Sequence, residues 1–168
     1  MSNNGWTLRA HPLFLDQVER LIAQVEEEKK KDPENYKSAA NAKTLAAINK
    51  IAFTDIPADP TNKNYRQGDT LGDNHKHWFR AKFGKGRFRL FFRYDSKAKI
   101  IIYAWVNDEN SLRTYGKKTD AYTVFKGMLD NKAPPTDWEI LNKECLAKGV
   151  AERFEKIRPQ PSENTDNQ

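Results

Sequence analysis

Apolar residues recur at helical spacing along the N-terminal third of the chain, after a short alternating segment, Trp6–Ala10, that predicts a strand. Pro12 suits the first turn of the helix that follows, and Pro33 ends that helix near Lys31. A second helix is predicted from about Asn35 to about Phe53, and the short link predicts an antiparallel helical hairpin. The apolar stripe of the first helix consists of Phe14, Leu15, Val18, Leu21, Ile22 and Val25.

Strand patterns replace the helical spacing after a long loop, 57–72, that is rich in Pro, Gly, Asn and Asp. Apolar and basic residues alternate along 77–83 and along 87–94, and Gly84-Lys85-Gly86 between them predicts a hairpin turn. Residues 100–106 form a continuous apolar run, which is typical of a central strand covered on both sides. We therefore expect a sheet built around residues 77–106.

Two registers of the predicted hairpin keep the apolar residues of both strands on one face. One register pairs Phe83 with Gly86 across a two-residue loop, and the other pairs Phe83 with Phe88 across a four-residue loop. A slip of one residue from either would turn arginines toward the core and is disfavoured. The basic residues that both registers place together on the expected solvent face are Arg80, Lys82 and Arg89.

Helix signals return after the sheet. Thr119 or Asp120 can cap a helix over about 121–129, and Thr136-Asp137-Trp138-Glu139 has the spacing of a capping box for a last helix. The order β-α-α-β-β-β-α plus a C-terminal helix predicts an α+β fold, with an antiparallel sheet of about four strands and helices on its apolar face. We expect one domain over residues 1–156 and a disordered polar tail over 157–168.

Positive charge is concentrated in the predicted sheet. Nine lysines and arginines and one acid, Asp95, lie between Lys76 and Lys99, so this segment carries a formal +8 whereas the whole chain carries +6. The aromatic residues Trp78 and Phe91 are interleaved with these charges, and we expect them to be exposed. The loop after the sheet adds Arg113, Tyr115, Lys117 and Lys118. A basic face with exposed aromatic residues suits phosphate contact and base stacking, so nucleic acid is the leading partner and an acidic protein the alternative.

Other kinds of site have weaker support. The chain has no glycine-rich phosphate loop and no Ser-His-Asp arrangement, and its longest apolar run is too short to span a membrane. His75 and His77 lack a companion carboxylate or cysteine set, so a solvated or RNA-facing pair is favoured over a metal site, and no cofactor is predicted. Asp108 and Glu109 are adjacent and favour a turn or cap.

Signals of cellular location point to the cytoplasm. The first residues show neither the charged nor the apolar region of a secretory signal. The single cysteine, Cys145, excludes an internal disulfide and suits a reducing compartment. Its helical spacing predicts a buried small residue.

A basic face of this kind can also cleave RNA, because RNA supplies its own nucleophile, the 2′-hydroxyl. The protein then has to accept the proton of that hydroxyl, stabilise the negative charge on the phosphorane and protonate the leaving 5′-oxygen. Clustered cations stabilise the charge, and a lysine among like charges or a tyrosine can transfer the protons, with no metal required. These residue types permit cleavage without being specific to it, so a non-catalytic basic nucleic-acid-binding module is the alternative.

Several motifs resemble the YhaV family of bacterial toxins. They are RLFFRYD at 89–95, IIIYAWVNDE at 100–109, LR at 112–113 and TDAY at 119–122, with HPLF at 11–14 and PPTDW at 134–138. The resemblance spans roughly residues 6–146 and belongs to the RelE-like superfamily of type II toxin–antitoxin systems. It implies a RelE-like fold and a cytoplasmic endoribonuclease that cleaves mRNA on the ribosome and so inhibits translation and growth.

The same resemblance implies the partners. It points to a cognate antitoxin of the PrlF type, whose DNA-binding part resembles AbrB and MazE. Operator DNA would then be contacted only through the toxin–antitoxin complex, and no membrane is involved.

The family pattern also assigns candidate site residues. Arg80 and Lys82 match a basic pair on one strand, and Arg89 matches the arginine of the next strand. Arg113 and Tyr122 match an arginine after the last strand and a tyrosine of the final helix. Because Arg80 is a poorer base than the lysine it replaces, proton transfer is expected from Lys82 or Tyr122.

The loop 107–119 is longer than in RelE itself, so Lys117 or Tyr115 can take the role given to Arg113 or Tyr122. The basic residues Lys85, Lys97 and Lys99 lie at turns and suit electrostatic steering. The residues expected to bind RNA around the catalytic set are Trp78, Arg87, Phe91, Arg93, Tyr115 and Lys117.

Overall fold

A computed structural model describes residues 1–160 of the chain. The strands are β1 (Ser2–Asn3), β2 (Trp6–Ala10), β3 (Phe79–Phe83), β4 (Phe88–Asp95) and β5 (Ile100–Val106). The helices are α1 (Pro12–Lys31), α2 (Ala40–Lys50), α3 (Ile56–Ala58), α4 (Ala121–Asp130), α5 (Trp138–Cys145) and α6 (Val150–Ile157). The tail was predicted to begin at residue 157, which is one residue too early because α6 includes Ile157, and residues 161–168 of the predicted tail lie outside the described residues.

The five strands form one mixed sheet in the order β1-β2-β5-β4-β3. An α+β fold is confirmed, but four antiparallel strands were expected and that expectation is wrong. β1 adds a short hairpin partner to β2, and β2 lies parallel to β5 with Thr7 beside Ile100. Three helices and the β3–β4 hairpin separate β2 from β5 in the chain, so no local turn fixes their relative direction.

The β3–β4 hairpin has the four-residue loop, with Phe83 paired with Phe88 and Lys82 with Arg89. Gly84, Lys85 and Gly86 all adopt positive φ. A Cβ on Gly84 would lie 2.5 Å from Cδ2 of Phe88, so the missing side chain makes room for that ring. We therefore expect the glycine at position 84 to favour this register over the one with the two-residue loop.

The first face of the sheet packs against α1, α2 and α6 around Phe14, Phe92 and Tyr103. The predicted second helix begins later than expected, at Ala40, after a short 3₁₀ turn, and it continues beyond Lys50 through a π-helical turn, Ile51–Asp55. At the end of that turn the Ile56 amide donates to the Ile51 carbonyl and Pro57 has no amide hydrogen, so the turn leaves carbonyls without a helical donor. The buried hydroxyl of Tyr103 donates to one of them, the carbonyl of Ala52.

The second face is also covered, which corrects the expectation that it faces solvent. Phe125 of α4 stacks on Phe91 with ring centroids 4.1 Å apart and packs against Trp78 and Trp105. A bulge pairs Phe91 with Trp105 while Phe92 pairs with Tyr103. Both faces of β5 are apolar, because Ile101 and Tyr103 pack in the first core and Ile102 and Ala104 in the second. The central position predicted for this strand is confirmed.

The C-terminal region holds two helices where one was expected. The predicted capping box places Thr136 at the N-cap, but the N-cap of α5 is the next residue, Asp137, whose side chain accepts from the Ile140 amide. Gly149, with φ of +85°, separates α5 from α6. Cys145 is buried as predicted, and burial raises the pKa of its thiol to about 12.

His75 and His77, which were predicted to form a solvated or RNA-facing pair, differ in burial. His75 is buried and lies 3.0 Å from the Thr136 hydroxyl, so it is neither solvated nor available to RNA. His77 is exposed. Asp108 accepts from the Ser111 hydroxyl in the turn after β5, as its predicted turn role requires.

Candidate active site

The hydroxyl of Tyr122 lies between two arginines from neighbouring strands. It accepts a hydrogen bond from Nε of Arg80 at 2.9 Å and from Nε of Arg89 at 3.1 Å. The two arginines are diagonal neighbours on one face, because Lys82 pairs with Arg89 across the hairpin. Tyr122 reaches them because Asp120 caps α4 and sets its first turn over that face.

Both arginines are buried, with 9% of Arg80 and 4% of Arg89 exposed. Nη1 of Arg80 donates to the carbonyl of Asn64 at 2.6 Å, and Nη1 of Arg89 donates to the carbonyls of Gly86 and Phe88. Within residues 1–160 neither arginine forms an ion pair with a carboxylate. Desolvated cations without a counter-charge are costly, and a bound anion would relieve that cost.

One nitrogen of each of these guanidinium groups remains available to a ligand. Nε and Nη1 are occupied by the contacts above, whereas Nη2 of Arg80 and of Arg89 has no partner among the described residues and is not enclosed by protein. Arginine donors suit the oxygens of a phosphate group. The arrangement is therefore suited to binding an anion beside the phenol of Tyr122.

Arg113 belongs to the same cluster, but the carboxylate of Asp120 balances its charge. Its Nη1 lies 2.6 Å from Oδ1 of Asp120, and its guanidinium carbon lies 4.7 Å from the centroid of the Tyr122 ring. Burial alone would lower the pKa of Arg113, but the hydrogen bond and charge of Asp120 outweigh it and raise that pKa. Burial alone would likewise raise the pKa of Asp120, but the contacts to Arg113 and to two backbone amides lower it. Arg113 is thus already paired, unlike Arg80 and Arg89.

Asn107 connects the strand to the loop that carries Arg113, and the sequence pattern indicated only that it ends β5. Its side chain accepts from the Arg89 amide at 2.7 Å and donates to the carbonyls of Arg87 and Ser111. The Arg113 amide also donates to the Arg87 carbonyl. The sequence did contain one signal for this role of Asn107, which is a polar residue directly after an apolar strand. The ion-pairing role of Asp120 was missed because the pattern identified it only as a cap.

Exposed basic and aromatic groups surround this buried cluster. Lys82 is exposed and stands opposite Arg89 in the hairpin. Arg87 and Lys117 are exposed, and Tyr115 is 80% exposed. The structure thus brings Arg80, Arg89, Arg113 and Tyr122 into contact and leaves the other cations outside them.

Three residues predicted to bind RNA lie elsewhere or inside the core. Trp78 and Phe91 were expected to be exposed, and this is wrong, because both are covered by α4. Arg93 donates to the Thr136 carbonyl and lies 5.5 Å from the ring centroid of Trp78. Burial lowers the pKa of Arg93. It holds the segment before α5 and does not join the Tyr122 cluster.

Metal ligands are not grouped in the described part of the chain, where no set of three or more His, Cys, Asp or Glu could hold an ion. The helices of residues 1–160 include none that is long and apolar enough to cross a membrane.

Sequence comparison establishes the family. Residues 8–146 match the family model Toxin_YhaV, described as a toxin with endonuclease activity, of a toxin–antitoxin system. The chain belongs to the YhaV toxin family. This confirms the resemblance and the prediction of a nuclease enzyme, and membership of a toxin–antitoxin system implies an antitoxin partner.

Two curated YhaV proteins show how close the similarity is. The chain is 54% identical over 142 residues to the ribonuclease toxin YhaV of Escherichia coli (strain K12), covering 84% of this chain and 92% of that one. The toxin YhaV of Escherichia coli O157:H7 matches with the same identity and coverage. No solved structure matches significantly. All residues of the Tyr122 cluster fall inside the matched region.

Proposed function

We propose that this YhaV toxin is an endoribonuclease that cleaves mRNA on the ribosome through the 2′-hydroxyl, without a metal ion, and so inhibits translation. The observation that carries the proposal is the Tyr122 hydroxyl between two buried arginines that have no carboxylate partner within residues 1–160. The K12 relative is a ribonuclease toxin by name, which supports RNA as the substrate.

In this proposal the scissile phosphate binds to Nη2 of Arg80 and of Arg89. These donors are fixed before the substrate arrives, because the other nitrogens of both groups are hydrogen-bonded to the protein. Donors held in place stabilise the extra negative charge of the phosphorane without reorganising during the reaction. The burial of both arginines strengthens that stabilisation, since the local dielectric constant is low.

Tyr122 serves as the proton donor. Its oxygen already accepts two arginine N–H groups, so its own O–H proton is left to donate. The bond from the 2′-oxygen to phosphorus forms, the bond to the 5′-oxygen breaks, and Tyr122 protonates that leaving oxygen. The two arginines then stabilise the phenolate that remains.

Lys82 completes the set as the acceptor of the 2′-hydroxyl proton. It is exposed and lies opposite Arg89, so its amine can reach a phosphate that the arginines hold. The products are a 2′,3′-cyclic phosphate and a free 5′-hydroxyl. The exposed residues Arg87, Tyr115 and Lys117 contact the flanking nucleotides.

A PrlF-type antitoxin is the proposed neutralising partner, and operator DNA is bound only through the complex. We propose that it covers the exposed cations Lys82, Arg87 and Lys117 and so blocks substrate entry. Chemical labelling of lysines in the complex should protect Lys82 and Lys117. Full labelling of both in a silenced complex would contradict this mode of inhibition.

Cleavage assays on mRNA with purified ribosomes test the proposal. Arg89→Ala should slow cleavage by about 100-fold or more, whereas Arg87→Ala, which removes an exposed arginine two residues away, should slow it less than about tenfold. A 2′-deoxy nucleotide at the cut site should abolish cleavage by the wild-type protein. Equal rates for both variants, or cleavage of the deoxy substrate, would refute the mechanism, and thermal unfolding of Arg89→Ala checks its fold.

The non-catalytic binding module predicts a different result in the same assay. It would give strongly salt-dependent RNA binding and no product. The endonuclease description of the family weighs against it.

A further inference from the structure

Tyr115 is an aromatic side chain in an unusual position. It is 80% exposed, in the loop between β5 and α4, whereas the aromatic residues of the sheet are packed in the two cores. An exposed ring on a basic surface contributes little to folding, because little apolar area is removed from water. The Tyr115 ring contacts Arg113, a charged residue of the Tyr122 cluster.

That contact is the guanidinium of Arg113, which lies 3.8 Å from the centroid of the Tyr115 ring. The same guanidinium lies 4.7 Å from the centroid of the Tyr122 ring. One planar cation therefore links the exposed ring to the ring whose hydroxyl sits in the phosphate site. Stacking of this kind restricts the orientation of Tyr115 although the loop is exposed.

Asp120 holds Arg113 in this place. Its Oδ1 lies 2.6 Å from Nη1 of Arg113 and also accepts from the Thr114 amide, while Oδ2 accepts from the Tyr122 amide. A single buried carboxylate thus fixes the loop, the guanidinium and the start of α4. With its charge balanced, Arg113 is a poor ligand for phosphate and a good support for a ring.

We propose that Tyr115, Arg113 and Asp120 form a nucleobase-stacking subsite beside the scissile phosphate, in which Tyr115 contacts the base and the other two are positioning residues. The proposal rests on the proposed RNA cleavage by the same cluster. A nucleobase is the ligand that fits this subsite, because every base can stack its flat face on the exposed ring and leave its edges free. The neighbouring cations Arg80 and Arg89 take the phosphate of the same nucleotide strand.

Fluorescence of 2-aminopurine tests the stacking separately from cleavage. An RNA with 2-aminopurine beside the cut position and a 2′-O-methyl group that prevents cleavage is titrated with the protein. Quenching on binding is expected for the wild type and for Tyr115→Phe, which keeps the ring. Tyr115→Ala should bind about tenfold more weakly and lose the quenching; equal quenching by Tyr115→Ala would overturn the subsite.

Cleavage of unmodified mRNA on ribosomes provides the second readout. Tyr115→Ala should raise KM about tenfold with a smaller change in kcat and should alter the distribution of cut sites. Tyr115→Phe, which keeps the ring, should show the KM and the cut sites of the wild type. Asp120→Asn keeps an N-capping side chain but removes the charge, and should shift the cut sites in the same way. Unchanged cut sites in both Tyr115→Ala and Asp120→Asn would overturn the assignment, even if Arg89→Ala abolishes cleavage as expected.

Discussion

Arginines of the same basic segment have different roles, and their contacts decide which. Arg80 and Arg89 are buried with no carboxylate partner within residues 1–160, and they donate to Tyr122. Arg93 contacts the Trp78 and Trp138 rings and supports the fold. Arg87 is exposed. The number of charges along the sequence does not distinguish these residues, whereas burial without a carboxylate partner makes only Arg80 and Arg89 candidates for binding an anion.

The Arg113–Asp120 ion pair leads to a prediction at the residue scale. The pKa of Asp120 is lowered in the folded protein, so its contribution to stability is present above the ordinary aspartate pKa of about 3.9 and is lost as the pH falls through the lowered value. Asp120→Asn should therefore lower the free energy of unfolding by about 1–3 kcal/mol near neutral pH. Urea unfolding should show this loss shrinking below about pH 3.5; an equal loss at both pH values would contradict the assignment.

At the scale of elements, the β3–β4 hairpin aligns the residues of the proposed phosphate site. Pairing of Lys82 with Arg89 puts Arg80 and Arg89 diagonally across one face, where Tyr122 can reach both. The loop conformation that gives this pairing depends on Gly84, whose Cα hydrogen faces the Phe88 ring.

Two glycine substitutions test that dependence. Gly86→Ala meets no atom within 4 Å and should cost only the strain of a positive φ, about 1–2 kcal/mol. Gly84→Ala has the same strain and also clashes with Phe88, so it should cost about 1–3 kcal/mol more. Urea unfolding measures both free energies. Equal losses would mean that the Gly84–Phe88 contact does not fix the register.

The local parts of this architecture were predictable, and the long-range parts were not. Periodicity and prolines predicted α1 and β2, and cap chemistry predicted the start of α4 and, to within one residue, that of α5, because these signals act within a few residues. The parallel pairing of β2 with β5 and the cover over Trp78 and Phe91 arise from segments distant in the chain. Alternation marked Arg80, Lys82 and Arg89 as neighbours but could not reveal that α4 buries two of them.

At the scale of the whole molecule, the exposed cations of residues 76–99 lie outside the strands, with the exception of Lys82 in β3. Lys85, Lys97 and Lys99 are exposed residues at the hairpin turns. Charges of this kind raise the rate of encounter with a polyanion and are screened by salt. They need not contact the reacting phosphate.

A double substitution, Lys85→Gln with Lys97→Gln, should therefore affect encounter and not chemistry. The value of kcat/KM should fall severalfold at low ionic strength and approach the wild-type value at high ionic strength, while kcat stays unchanged. Steady-state cleavage over a salt series measures both constants. A lower kcat at every salt concentration would place these lysines in the reaction itself.

The most direct test of the central claim is the single-turnover cleavage rate of Tyr122→Phe. This change removes only the hydroxyl that Arg80 and Arg89 contact and keeps the ring that packs on Phe91 and Arg113. Tyr115→Phe is the matched control, because it removes an exposed hydroxyl from the adjacent loop. We expect Tyr122→Phe to cleave mRNA on the ribosome about 100-fold or more slowly while binding RNA nearly as well, and Tyr115→Phe to cleave at the wild-type rate. Cleavage by Tyr122→Phe at the wild-type rate would contradict the account.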